Sequence, residues 1–200
     1  MKIDKILIGS NNKNKINEIN SIIKDKNLRL KILGLSDIGI TEKPTEDGNT
    51  FYQNAYKKAI FFYERSSLPV ISEDSGLVVE SLNGEPGVYS ARYSGENASD
   101  EENIKLLLDK MRKIENRSAY FEACFIFFDG KNIVTKTGRT YGYITTEKRG
   151  NNGFGYDPVF FSPILNKTFA EATEEEKNSV SHRAIALKEL IEELIFLEII

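Results

Sequence analysis

The sequence lacks the residues and runs that define several large classes of protein. Cys124 is its one cysteine, which excludes a disulfide bond within the chain and a zinc site built on several thiolates. Because Cys124 lies in the apolar run 120–128, we expect an inert core thiol rather than a nucleophile. No apolar run reaches the roughly 18 to 20 residues of a membrane span. No signal-peptide stretch follows the charged residues 1–5, so we expect a cytoplasmic protein without a membrane partner.

An excess of either charge is also missing. The 27 lysines and arginines nearly balance the 30 aspartates and glutamates, and the lysines are spread along the chain instead of forming a stripe. This distribution argues against a nucleic-acid polymer as the main partner, although a small anion needs only a local positive pocket. The chain does contain 40% apolar and 28% charged residues over 200 positions, as is typical of globular proteins. We therefore expect residues 1–200 to form a single domain.

Hydrophobic periodicity predicts a mixed α/β sheet with helices packed on it, because strand and helix patterns alternate at the start and a hairpin pattern follows. Strands are predicted at 3–9, 30–35, 118–128 and 132–146, with further strand-like residues on both sides of an acidic pair in 68–79. Helices are predicted after residue 12, from Thr50, from a capping box at Ser99, and from about Ser181. The last helix is expected to bury Ile185, Leu187, Leu190, Leu194 and Ile195.

The acidic pair, Glu73 and Asp74, interrupts the otherwise apolar and β-branched run 68–79. The pair is followed by Gly76, so it is expected where a buried backbone turns into a cleft, which is a position for a metal or a general base. The alternative is a solvated β-turn, since aspartate, serine and glycine are ordinary turn residues.

A polar run, Ser10-Asn11-Asn12-Lys13-Asn14-Lys15, lies between a predicted strand and a predicted helix. Backbone N–H groups and the helix dipole favour an anion at such a place. The run lacks the glycine patterns of a P-loop and of a dinucleotide site. It is therefore either an anion cradle of another kind or a helix cap with surface lysines.

Glu46 lies in a second acidic loop, just before the predicted helix at Thr50. Mg²⁺ takes one or two protein carboxylates and completes its octahedron with phosphate oxygens and water. Glu46 and Asp74 together would therefore suffice for a magnesium site if the fold joins them. Otherwise Glu46 is a surface residue.

Two runs in the second half of the chain suggest a ligand. Phe154 lies between two glycines, where its ring could stack on a planar base or pack into the core of a tight turn. His182, the one histidine, stands with Lys177 and Arg183 near a predicted helix start. Cations there oppose the helix dipole unless an anion or an acceptor-rich ligand is present, although a single histidine can also be structural.

Taken in order, these runs resemble the motifs of the inosine/xanthosine triphosphate pyrophosphatase family, also called Ham1-like. The matching segments are 10–15 with Glu18, Glu46 before 48–51, 72–77, 86–93, 154–158, 176–178 and 181–183. They extend over nearly the whole chain. The resemblance implies an elongated mixed sheet with two lobes flanking a nucleotide-binding cleft, and usually a homodimer.

The resemblance also implies a role for each matching residue. Asp74 would be the general base and, with Glu46, a ligand of Mg²⁺. The triphosphate would be held by Ser10, Asn11, Asn12, Lys13, Asn14, Lys15, Ser75 and Lys177. The base would be enclosed by Phe154, Gly155, Tyr156 and Asp157, read at its edge by His182 and Arg183, and closed in by Arg92.

The implied reaction is cleavage of the α–β phosphate linkage of ITP, dITP or XTP, which yields a nucleoside monophosphate and pyrophosphate. Donors from His182 and Arg183 facing a 6-oxo group would reject adenine, whereas guanine shares that group and must be rejected at position 2. Two other functions stay open. One is a pyrophosphatase or phosphatase with poor base choice, and the other is a nucleotide-binding sensor that does not turn over.

Overall fold

The computed structural model describes residues 2–24 and 30–200, so Met1 of the charged start lies outside the described residues. Its strands are β1 (Lys5–Gly9), β2 (Lys31–Leu33), β3 (Val70–Val79), β4 (Ser118–Phe128), β5 (Ile133–Ile144), β6 (Phe160–Ser162) and β7 (Lys167–Thr168). Its α-helices are α1 (Lys13–Lys24), α2 (Phe51–Ser66), α3 (Asp100–Lys110), α4 (Glu174–Val180) and α5 (His182–Phe196).

The described strands form a seven-stranded mixed sheet in the order β2-β1-β3-β4-β5-β6-β7. Strand β1 pairs in parallel with β2, where Lys5 lies opposite Lys31, and with β3, where Leu7 lies opposite Val70. Strand β6 pairs antiparallel with both β5 and β7. The predicted mixed sheet with helices packed on it is therefore confirmed.

The chain divides into two compact units. The first comprises Met1–Asp74, Ala123–Gly138 and Arg183–Ile200, and the second comprises Ser75–Glu122 and Arg139–His182. The boundaries fall within β3, β4 and β5. That residues 1–200 act as a single domain stays a prediction.

In the first unit, strand β1 is covered on both faces. Ile6 and Ile8 join a buried cluster with residues of α1 and α5, whereas Leu7 packs with Phe62 of α2. Alternate side chains of a strand point to opposite faces, so an unbroken apolar run is what two covered faces require. Each of these buried side chains contributes about 1.5 to 3 kcal/mol relative to exposure. Burial on both sides therefore holds the helices against the strand.

The second unit is built around α3 and an aromatic core. The hydroxyl of Ser99 accepts a hydrogen bond from the Glu102 amide, and the Glu102 carboxylate accepts one from the Ser99 amide at 2.8 Å. This reciprocal pair is the predicted capping box, and it begins α3 where the sequence indicates. Leu107 of α3 packs in one cluster with Phe121 and Phe160.

Two sequence predictions need correction, one about the length of β2 and one about the buried residues of α5. Strand β2 is shorter than the predicted 30–35, because Asp37 accepts from the Gly34 amide at 2.8 Å and stabilises a turn of 3₁₀-helix directly after the strand. Ile185 and Ile195 were expected to be buried, but Ile185 is only half-buried and Ile195 is 43% exposed. In α5 the buried position is taken by Leu194, and the next residue along a helix points about 100° away.

The other predicted elements, β1, β3, β4, β5, α1, α2, α3 and α5, lie where the sequence indicates. Three short elements of the C-terminal part of the chain, α4, β6 and β7, were not predicted. Cys124 is buried in β4, as expected. Within the described residues, no helix has the length and apolar character needed to cross a membrane.

Candidate active site

The acidic pair lies inside a strand and not in a turn. Strand β3 continues through Glu73 and Asp74, whose exposed fractions are 2% and 6%. The solvated-turn interpretation is therefore wrong, and so is the expectation that the backbone turns near Gly76. Neighbouring residues of a strand point to opposite faces, so the two carboxylates have different surroundings.

Asp74 is held by α2 through both of its carboxylate oxygens. The ammonium of Lys58 donates to Oδ1 at 2.9 Å, and Nδ2 of Asn54 donates to Oδ2 at 3.1 Å. Burial raises the pKa of Asp74 above its ordinary value, although Lys58 and Lys15 act against the rise. A carboxylate with a raised pKa is a stronger base, and its fixed orientation suits it to take a proton from water.

Lys58 also brings Glu46 to the site. Its Nζ lies 3.1 Å from Glu46 Oε2 and 2.9 Å from Asp74 Oδ1, so the fold does join the two acids. Burial would lower the pKa of Lys58, but the carboxylates of Asp74, Glu46 and Glu73 outweigh burial and raise it. The lysine therefore remains charged between its two partners.

The loop that carries Glu46 also contacts the exposed side of α2. Asp47 forms an exposed ion pair with Lys57. The Gln53 side chain accepts a hydrogen bond from the Asn49 amide at 2.7 Å. Adjacent acids thus pair with adjacent lysines: Glu46, itself exposed, reaches the buried Lys58, whereas Asp47 and Lys57 are both exposed.

Glu73 faces α1 and α5. Lys15 Nζ lies 2.8 Å from Glu73 Oε2, and Arg183 Nε donates to Oε1 at 3.1 Å. Arg183 also donates to Glu18 at 2.8 Å. Burial would raise the pKa of Glu73, but Lys15 and Arg183 outweigh burial and hold the pKa far below its ordinary range. Glu73 is thus a permanent anion that anchors two cations, and a role of Arg183 at the edge of a base stays a prediction.

The polar run after β1 contains a helix cap. Asn12 Oδ1 accepts from the amides of Asn14 and Lys15 at 3.0 and 3.2 Å, and the Ser10 hydroxyl accepts from the Asn12 amide at 3.2 Å. These amides have partners within the loop, which leaves the exposed Lys13 and the partly exposed Lys15 as its cationic side chains. That the run binds a triphosphate stays a prediction.

The oxygen atoms around Lys58 fit Mg²⁺. Glu46 and Asp74 supply hard carboxylate ligands, and they already flank a cation, since one ammonium contacts both. In ranges 2–24 and 30–200, no three histidine, cysteine, aspartate or glutamate side chains form a ready-made metal cage. Mg²⁺ is ordinarily held by one or two carboxylates together with substrate phosphates, which matches this donor set.

The second unit contains the aromatic loop. Gly153 and Gly155 have φ angles of 74° and 60°, the left-handed conformation that favours glycine. Phe154 between them is half-buried, and Lys177 Nζ lies 4.9 Å from the centre of its ring. The carboxylate of Asp157 accepts from Lys177 at 2.6 Å and from the Phe154 amide at 2.9 Å. A buried ion pair therefore sets the position of this ring.

Two further hydrogen bonds hold the same loop. The Gly155 amide donates to the Asp100 carboxylate at 2.6 Å, and the Tyr156 hydroxyl donates to the Ser90 carbonyl at 2.9 Å. Burial raises the pKa of Tyr156 well above its ordinary value, so the hydroxyl stays protonated and remains a donor.

The other predicted ligand residues have identifiable neighbours. His182 is buried and stacks on Phe121, with ring centres 4.9 Å apart and 12° between the planes. The guanidinium of Arg92 lies 5.1 Å from the centre of the Tyr89 ring. Ser75 directly follows Asp74 in β3. The roles assigned to these residues stay predictions.

Two residues of the site, Asn54 and Lys58, were missed from the sequence. Both lie on the face of α2 that Phe51, Ala55 and Phe62 bury. A lysine in the middle of an apolar stripe is a usable signal, because lysine is almost never fully buried without a charged partner.

The fold and these contacts define a mixed α/β protein with a buried acid–base centre on one strand. The Ham1 family model matches residues 6–193, and the chain belongs to the Ham1 family. The resemblance inferred from the motifs is thereby confirmed.

Two relatives and one solved structure align with most of the chain. A dITP/XTP pyrophosphatase of Desulfotalea psychrophila is 47% identical over 189 residues, 94% of this chain and 84% of that protein. One from Staphylococcus epidermidis is 45% identical over 195 residues, 95% of this chain and 97% of that protein. The Staphylococcus aureus Ham1 protein structure matches with a TM-score of 0.87 and 40% identity, covering 96% of this chain and 99% of that chain.

Proposed function

We propose that this chain is a magnesium-dependent pyrophosphohydrolase that converts ITP, dITP and XTP to the nucleoside monophosphate and pyrophosphate, and so removes deaminated purines from the nucleotide pool. One observation carries the proposal. Asp74 is buried in β3, both of its oxygens are held by α2, and Glu46 shares the Lys58 ammonium with it. The names of the relatives, dITP/XTP pyrophosphatase, support the choice of substrate.

Asp74 acts as the general base of this reaction. It accepts a proton from the attacking water while the water oxygen bonds to the α-phosphorus. The bond from that phosphorus to the bridging oxygen breaks, and pyrophosphate leaves with that oxygen. Because Lys58 and Asn54 already fix the carboxylate, the proton transfer needs little reorganisation.

In this proposal, cations bound in the first unit compensate the negative charge of the triphosphate. Lys15, anchored by Glu73, is the cation that we assign to the triphosphate. Glu46 and Asp74 would hold Mg²⁺ through their carboxylate oxygens. When bound, Mg²⁺ neutralises charge on the phosphate oxygens.

We assign the base of the nucleotide to the loop of Phe154 and Asp157. Lys177 contacts both of these residues, so we propose that it serves the base and not the triphosphate to which the family resemblance assigned it. An ammonium donates to a 6-oxo group, whereas the 6-amino group of adenine would set donor against donor. The homodimer and the cytoplasmic location expected from the sequence stay predictions.

The test is pyrophosphate release from ITP, XTP, GTP and ATP in the presence of Mg²⁺. We expect selective release from ITP and XTP, and Asp74→Asn should lower kcat by roughly 100-fold or more, as loss of a general base does. A matched pair isolates the metal ligand. Glu46→Gln should lose activity, whereas Asp47→Asn, one residue away and on the exposed side, should keep it.

Three outcomes would contradict the proposal. Equal turnover of ATP and GTP would indicate a pyrophosphatase with poor base choice. Binding of ITP without release of pyrophosphate would indicate a nucleotide sensor. Full activity of Asp74→Asn would remove the proposed base.

A further inference from the structure

Asn54 connects the two acids of the proposed site by a route that does not use charge. It is fully buried in α2. Its Oδ1 accepts a hydrogen bond from the Gly48 amide at 2.8 Å, and its Nδ2 donates to Asp74 Oδ2 at 3.1 Å. An amide side chain offers an acceptor and a donor from one rigid plane, which is what these two partners require.

The loop reaches Asn54 only because residue 48 is glycine. A Cβ at this position would lie 2.6 Å from Asn54 Oδ1 and 3.1 Å from the Asn54 backbone nitrogen. Any other residue would push the loop away from α2. Since Gly48 is two residues after Glu46, the anchored backbone restricts where the Glu46 carboxylate can lie.

Lys58 alone does not specify this geometry. Its ammonium contacts Glu46 and Asp74 at 3.1 and 2.9 Å, but it sits on a flexible four-carbon stem and attracts carboxylates from many directions. A hydrogen bond to a planar amide is directional. The Asn54 amide therefore adds a fixed distance and a fixed angle.

We propose that Asn54 is a positioning residue that sets the spacing between the Glu46 and Asp74 carboxylates. It rests on the proposed function, because the spacing matters for Mg²⁺ and for the proton transfer to Asp74. Asn54 acts through these two acids. Outer residues that orient metal ligands in this way typically change metal affinity or activity by 10- to 100-fold when mutated.

Two substitutions at this position separate the two bonds. Asn54→Asp keeps the shape and the acceptor for Gly48 but removes the donor to Asp74. Asn54→Leu keeps a similar volume and removes both bonds. Gln53→Leu is the matched control, because the Gln53 side chain also accepts from a loop amide, that of Asn49, but lies on the exposed side of α2.

The first readout needs no substrate. The unfolding temperature of each folded variant is followed while MgCl₂ alone is added, and circular dichroism confirms the fold. We expect MgCl₂ to raise the unfolding temperatures of wild type and Gln53→Leu equally. The apparent Mg²⁺ affinity obtained from this rise should be at least tenfold weaker in both Asn54 variants. Equal Mg²⁺ responses in wild type and both Asn54 variants would overturn the proposal.

The second readout separates positioning from general loosening of the fold. We expect kcat for ITP to fall by roughly 10- to 100-fold in both Asn54 variants, with KM changed less than about twofold. Wild-type kcat in a folded Asn54→Asp would overturn the role through Asp74. If wild type releases no pyrophosphate from ITP, the proposed function fails, and the Mg²⁺ titration still decides the role of Asn54.

Discussion

The ion pair of Lys58 allows a quantitative test of the buried acid–base centre. Lys58→Met keeps the apolar stem and removes the ammonium that contacts Asp74 and Glu46 at 2.9 and 3.1 Å. Removing one partner of a buried pair costs about 3 to 5 kcal/mol, because the other charge is left without compensation. Asp74 keeps its hydrogen bond from Asn54, which places the expected loss near the lower end, about 3 kcal/mol.

The assays are urea unfolding, which gives the free energy of unfolding, and thermal unfolding, which gives Tm, both at neutral pH in the presence of a chelator. For a chain of this size, a loss of about 3 kcal/mol corresponds to a fall in Tm of about 6 to 12 °C. Lys57→Met is the matched control, because its ion pair with Asp47 is exposed, and it should unfold close to wild type. The double variant Lys58→Met/Asp74→Asn should recover much of the lost stability, since the uncompensated carboxylate is gone.

The pH dependence has a definite sign. The pKa of Lys58 is raised in the folded protein, so its stabilising effect is complete below the ordinary lysine pKa and is lost as pH rises through the raised value. The stability difference between wild type and Lys58→Met should therefore be constant near neutral pH and shrink in strong alkali. Equal stabilities of Lys58→Met and Lys57→Met, or no recovery in the double variant, would refute the reasoning.

Two further predictions concern other parts of the chain. Burial would raise the pKa of Asp129, but hydrogen bonds donated by Asn132 and Lys131 outweigh burial and lower the pKa. Wild type should therefore have a higher Tm than Asp129→Asn at pH 7. It should lose that advantage as pH falls through the lowered pKa of Asp129. An advantage that persists in strong acid would contradict the assignment. In steady-state kinetics, Lys177→Met should raise KM for ITP by roughly tenfold with a smaller change in kcat. Lys167→Met is the control, because its ion pair with Glu176 is more exposed, and it should leave KM unchanged. An unchanged KM in a folded Lys177→Met would remove the lysine from base binding.

Local patterns in the sequence were sufficient for most of the fold. The apolar spacing of α2 and the reciprocal bonds of Ser99 and Glu102 depend on residues close together in the chain, so both helices could be located. Ile195 shows the limit of that reasoning. The periodicity of α5 did not show that Ile195 points away from the buried face that Leu194 occupies.

The site was harder to predict because its contacts join distant parts of the chain. Glu46 and Asp74 could be named as separate acids, but their meeting depends on Lys58, which sequence reasoning passed over as one lysine among many. Glu73 was expected to share the surroundings of its neighbour. Pairing with Lys15 and Arg183 could be seen only once β3, α1 and α5 were in place.

The register of β3 determines which helices each of its two acids faces. Val70 lies opposite Leu7 and Ile71 opposite Ile8, and both faces of this part of the strand are apolar. A slip by one residue would therefore exchange one apolar side chain for another at little hydrophobic cost. The same slip would turn Asp74 toward α1 and α5, and Glu73 toward α2. A one-residue insertion early in β3 could thus give a well-packed protein in which each acid faces the partners of the other.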